Sequence, residues 1–154
     1  MHQELQNEMI TKEIEDQPTN YLIKQFEETN NTSILTSFEN DNTKETKTKL
    51  FKALASADKK LKDYVGEELL ICDYVLTINQ FLDEETGELT TNPTIVLFDE
   101  NDISYRITSI SVYNSLKTII ALNGKPTKQE PIKVKIKSIQ GNNNFNFISL
   151  EPRF

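Results

Sequence analysis

Between Ile132 and Lys137 the chain alternates apolar and basic residues: Ile132, Val134 and Ile136 take one parity, and Lys133, Lys135 and Lys137 take the other. Period-two alternation of this kind marks a strand with one buried face. Gly141 and three asparagines then form a turn, and Phe145 to Leu150 reads as the return strand. Lysines beside flat apolar rings combine charge for a phosphate backbone with faces on which bases stack. The candidate phosphate contacts are Lys133, Lys135 and Lys137, with Lys117, Lys125 and Lys128 just upstream. The candidate stacking rings are Phe145 and Phe147. The plain alternative is an amphipathic hairpin whose lysines meet only water.

The whole chain is not basic. Its 24 acidic and 17 basic residues leave a net charge of −7, where generic nucleic-acid binders are usually positive. The charge is unevenly spread. Residues 1–44 hold nine acids and three lysines, a net of −6, whereas Lys117 to Lys137 holds six lysines and one acid, Glu130. With 154 residues and 36% hydrophobic content, the composition predicts one domain with a polar extension.

The elements that must carry these residues follow in order. Residues 1–20 are polar and acidic, Tyr21 to Phe26 is a short apolar island, and Asn30 to Thr48 reads as flexible or loosely docked chain. Lys49 to Val65 is predicted as a helix ended by Gly66. Glu67 to Phe81 is a long strand, with Cys72, Tyr74, Leu76 and Ile78 expected to face the core. The acids from Asp83 to Glu88 suit a hairpin loop with Gly87 at positive φ, and lack the alternating ligand spacing of a calcium loop. Thr94–Phe98 and Ile103–Ile110 are the next strands. Ser111 is the expected cap of a helix from Val112 to Leu122, which Asn123-Gly124 stops.

Five strands with a helix between the third and fourth is the order of the OB fold, a small barrel. An open α+β sheet is the alternative, and pattern alone does not separate the two. The stretch from Phe98 to Ser109 with its following helix resembles the central part of phage single-stranded DNA-binding proteins. So does the ending, Ile132-Lys133-Val134-Lys135-Ile136 and Phe147-Ile148-Ser149-Leu150. The resemblance is to the family of small tailed, protein-primed phages and related phages of Gram-positive hosts, and it spans roughly residues 45–150. It implies a mainly β protein. A five-stranded OB-fold barrel, residues 49–154, would follow a helical or flexible extension, residues 1–48. It implies sequence-tolerant coating of single-stranded DNA during phage replication, in the host cytoplasm. Tyr105 is the residue most like a stacking tyrosine of that family, with Arg106 beside it as a phosphate contact; Tyr74 and Tyr113 are weaker candidates. The acidic extension is a candidate contact for phage replication proteins, a competitor for the DNA track, or a docked part of the fold.

Catalytic chemistry is not expected. His2 is the sole histidine, Cys72 the sole cysteine, and four glycines leave no phosphate-cradling loop. Neither a histidine triad nor a zinc finger is available, and no cofactor or metal is expected. No run of 18 apolar residues suggests a membrane span. Two other functions fit the same residues: a phage or mobile-element interaction or regulatory module, and a recombination or conjugation factor on the same fold. Oligomeric state is not encoded in any pattern here.

Overall fold

The structure is a computed structural model. It describes Asn20, Leu22, Ile23, residues 34–142 and residues 145–154, with backbone alone over 79–82. The chain divides into two units, residues 34–79 with 92–154, and residues 1–33 with 80–91. In the second unit the described turn closes on Gly87, whose φ is +72° and whose N–H donates to the Asp83 carbonyl at 2.7 Å. The island Tyr21–Phe26 lies outside the described residues except for Leu22 and Ile23.

The described strands form two sheets. Strands β1 (Ile34–Thr36), β2 (Lys59–Lys60), β4 (Asp73–Leu82), β5 (Leu89–Phe98) and β6 (Ser104–Thr108) form a sheet in the order β1-β4-β5-β6-β2. Strands β3 (Glu68–Ile71), β7 (Ile132–Gln140) and β8 (Asn146–Pro152) form the other, in the order β3-β7-β8. Helix α1 (Lys44–Ala55) precedes them and α2 (Ile110–Asn123) connects β6 to β7. The mainly β class and the helix before the lysine hairpin are therefore as the sequence indicates.

The expected long strand is bent into two. Cys72 separates β3 from β4, is 1% exposed, and donates its N–H to the Phe98 carbonyl at 2.8 Å. On one side of the bend the chain pairs with β7, on the other with β1 and β5. The main core lies between the sheets and α2, with Leu69, Ile71, Ile95, Leu97, Leu116, Val134, Ile136 and Leu150 buried together. A smaller core, Val75, Val96 and Phe98 with Ala53 of α1, covers the opposite face of β4 and β5. Both parities of these strands are thus buried, and the simple in-out alternation expected for β4 gives way.

Residues 34–48 are ordered structure where the sequence suggested loose chain. The side chain of Thr43 accepts the N–H of Thr46 at 3.3 Å and caps α1. The helix stops at Ala55, well short of Val65. Asp58 accepts the N–H of Ser104 at 3.0 Å and its hydroxyl at 3.1 Å. That clasp turns the chain out of the helix, so Lys59 and Lys60 run parallel to β6 and a 3-10 turn buries Leu61. At α2 the cap is Ser109, two residues earlier than Ser111. Gly124, at φ +90°, ends the helix as expected.

The expected closed five-stranded barrel is not formed. Closure requires β6 to pair with the last strand, but among the described residues β8 pairs with β7 alone. Helix α2 lies along the free edge instead. Ser111 donates its hydroxyl to the Ile148 carbonyl at 2.6 Å, and Ser115 accepts the Leu150 N–H at 3.1 Å. Two hydroxyls thus satisfy edge groups that a β6-β8 pairing would have bonded.

Two outcomes follow. Ser115→Ala leaves the Leu150 amide without its partner and is expected to cost about 1–3 kcal/mol, whereas Ser138→Ala on exposed β7 stays within about 0.5 kcal/mol. Urea denaturation of both variants is the check, and equal midpoints would refute the edge role. Asp58 supplies the second. Its carboxyl is held below the usual carboxylate range, first by the Ser104 N–H and then by Lys52 at 2.9 Å. A depressed folded-state value contributes stability above the unfolded pKa, about 4, that is lost as pH falls. Asp58→Asn is expected to flatten this acid limb in melts taken down a pH series.

Candidate nucleic-acid interface

Register fixes what surrounds the lysines of β7. Glu68 of β3 stands opposite Lys135, and Leu70 opposite Lys133. On the other side Glu151 stands opposite Lys135, Ser149 opposite Lys137 and Phe147 opposite Ile139. Directly opposed residues share a face. The outer face of this sheet therefore carries Lys133, Lys135 and Lys137 with Glu68 and Glu151 on either flank. Lys133 lies 3.6 Å from Glu68, and Lys137 pairs with Glu151. These pairs are partly solvated and worth about 0–1 kcal/mol each.

Two rings stand at the far end of the same face. Phe145 is 76% exposed and Phe147 38% exposed. A Cβ on Gly141 would meet the Phe147 ring at 3.3 Å and the Phe145 carbonyl at 3.1 Å. Glycine therefore lets the Phe147 ring lie against the turn, while the Gly141 N–H holds the Phe145 carbonyl at 2.7 Å. One side of Phe147 is fixed and the ring of Phe145 stands free.

The upstream lysines do not all join this face. Lys117 on α2 and Lys125 after it are exposed. Lys128 turns to Asp102 at 3.0 Å, in a groove it shares with Lys44, Lys49 and Lys52 of α1. Its ammonium is held above the ordinary lysine range, first by that hydrogen bond. Lys49 in turn binds Asp73 at 2.6 Å, with its ammonium 4.6 and 4.7 Å from the ring centres of Phe38 and Phe98.

Tyr105 is not a surface ring. It is 7% exposed, meets Tyr64 edge-to-face at 5.1 Å, and donates its hydroxyl to Asp99 at 3.0 Å. Burial, then that carboxylate, pushes the phenol above its ordinary range. Its shared parity with Ile103 and Ile107 carries it into the core, and stacking on Tyr105 is corrected accordingly. Tyr74 is likewise buried, and Tyr113 packs on the same core. Arg106, of opposite parity, is exposed and stands opposite Lys60 in the parallel β2-β6 pair.

A family model described as phage single-stranded DNA-binding protein matches residues 28–152. The chain belongs to that family. No curated protein and no solved structure matches it. The matched span takes in β1 and residues 44–48 at the start of α1, which the sequence reading places in the extension of residues 1–48. Among the described residues of this phage single-stranded DNA-binding protein, no helix is long and apolar enough to cross a membrane.

Sequence reasoning missed Lys60 and Lys62, which line a groove with Arg106. The signal was present as Lys59-Lys60-Leu61-Lys62, but the expected helix to Val65 spread those side chains around a cylinder. The structure separates two classes of aromatic residue, and a paired measurement checks the division. Tyr105→Phe removes a hydrogen bond to a buried carboxylate and is expected to lower stability by about 1.5–3 kcal/mol, with oligo-dT affinity unchanged. Weakened binding at native stability would return Tyr105 to the interface.

Proposed function

We propose that this chain binds and protects single-stranded DNA without sequence preference during phage DNA replication, as a non-catalytic coat acting in the host cytoplasm. The family match over residues 28–152 carries this reading. The scaffold is proposed to be an opened OB fold: its strands follow that order, and α2 takes the place of the closing ladder. The acidic stretch before residue 45, net −6, is proposed to meet replication proteins.

The outer face of β7 is the proposed contact surface. Lys133, Lys135 and Lys137 neutralise phosphates, Lys117 and Lys125 add charge nearby, and Phe145 and Phe147 stack on bases. Stacking is worth about 1–3 kcal/mol per base and tolerates any sequence. Phosphates reaching these lysines displace Glu68 and Glu151 from weak surface pairs, so the gain per lysine is less than for an unpaired cation.

Each phosphate neutralised on a single strand adds about −0.7 to the slope of log K against log salt. Changing Lys133, Lys135 and Lys137 to Gln is expected to reduce that slope by up to about 2 for every oligonucleotide sequence. Fluorescence anisotropy with labelled homopolymers across a salt series measures it. An unchanged slope would move the strand off this face.

A further inference from the structure

Lys60, Lys62 and Arg106 belong to neither β7 nor the lysines before it. Chain alternation separates them from their neighbours. Leu61 is fully buried, and Lys59 is held with its ammonium 5.5 Å from the Tyr64 ring centre. Lys60 and Lys62, on either side of Leu61, are exposed. With Arg106, Ile107 and Thr108 they line a groove of about 290 Å³, at the β2 edge of the five-stranded sheet.

The electrostatics of this groove differ from those of β7. Lys60 and Arg106 face each other directly across a strand pair, and like charges so placed repel. Lys62 adds a third cation to the same wall. No carboxylate lines the groove, and among the described residues none of the three cations has an ion-pair partner. Every β7 lysine, by contrast, pairs with or stands opposite a glutamate or lies beside one that does. Thr108, which lines the groove, shares a hydroxyl–hydroxyl hydrogen bond with Thr94 at 2.8 Å. Three mutually repelling cations with no internal counter-charge suit an anion, and a guanidinium offers a phosphate two parallel donors.

We propose that this groove is a second phosphate-binding subsite for the single strand, separate from the β7 face. It rests on the proposed DNA binding and adds where the backbone is gripped most firmly. Phosphates here displace no carboxylate, so each contact contributes its full electrostatic share.

The test compares Lys60→Gln/Lys62→Gln/Arg106→Gln with the β7 triple variant and the native chain, using labelled oligo-dT across a salt series. The groove variant is expected to lose about 2 from the salt slope, at least as much as the β7 variant. Its melting temperature is expected to hold or rise, because a repulsive cluster is removed. Lys60→Arg/Lys62→Arg/Arg106→Lys is expected to restore the slope. If glutamine disturbs β2, Lys62→Gln alone, outside the strand, is expected to lose about 0.7. A native slope and affinity in the groove variant, with loss in the β7 variant, would overturn the subsite and leave the function standing; the groove would then serve an acidic protein segment or solvent. A native chain with no affinity for oligo-dT at any salt would overturn both.

Discussion

The bend at Cys72 decides most of what surrounds it. One strand serves two sheets, so the backbone at the change-over must find partners outside either ladder. The Cys72 N–H meets this need through the Phe98 carbonyl. The next residue, Asp73, then arrives 9% exposed beneath α1, where an unpaired carboxylate would be strongly destabilising. Lys49 answers it from α1 at 2.6 Å, and Ser37 donates from 3.2 Å. The helix is therefore fastened by charge at the point where the strand turns, and its Ala53 completes the smaller core.

Legibility in the sequence followed burial. The lysine strand could be read because one face is buried and the other wet, so its register survives as a period of two. The same test failed on β4, where α1 covers the second face and Val75 and Thr77 of the other parity are buried as well. Helix α2 was legible from Leu116, Ile119 and the stop at Gly124. Its cap was misplaced by two residues because Ser109 and Ser111 are equally suitable, and only the Ile148 carbonyl decides between them. Helix α1 was misread at both ends. Its start rests on Asp41 and Thr43, polar residues resembling loose chain, and its end on a contact with Ser104, 46 residues away. Tyr105 was ambiguous by its own parity, and packing with Tyr64 settled it.

The charge of this phage single-stranded DNA-binding protein is better understood locally than as a sum. A net of −7 coexists with surfaces where cations outnumber anions, because acids are clustered before residue 45 and in turns. Within the sheets, the partner strand determines what a lysine is worth. Opposite Glu68 or Glu151 it is half spent, and opposite Arg106 it is in want of an anion. Screening shortens the reach of all these charges to about 8–10 Å at ordinary ionic strength, so a sum over the whole chain says little about any one surface.

The edge of β8 has a mechanical meaning. In a closed barrel, separating the last strand from the third would break a row of backbone hydrogen bonds, each dependent on its neighbours for alignment. Here the joint between β8 and α2 consists of two serine hydroxyls and the packing of one helix. Such a joint parts without unzipping a ladder, whereas at the opposite margin β3 runs on through Cys72 into β4 as continuous backbone. The three-stranded sheet is thus a panel with one firm and one soft margin, and the softer margin lies beside the two phenylalanines at its rim.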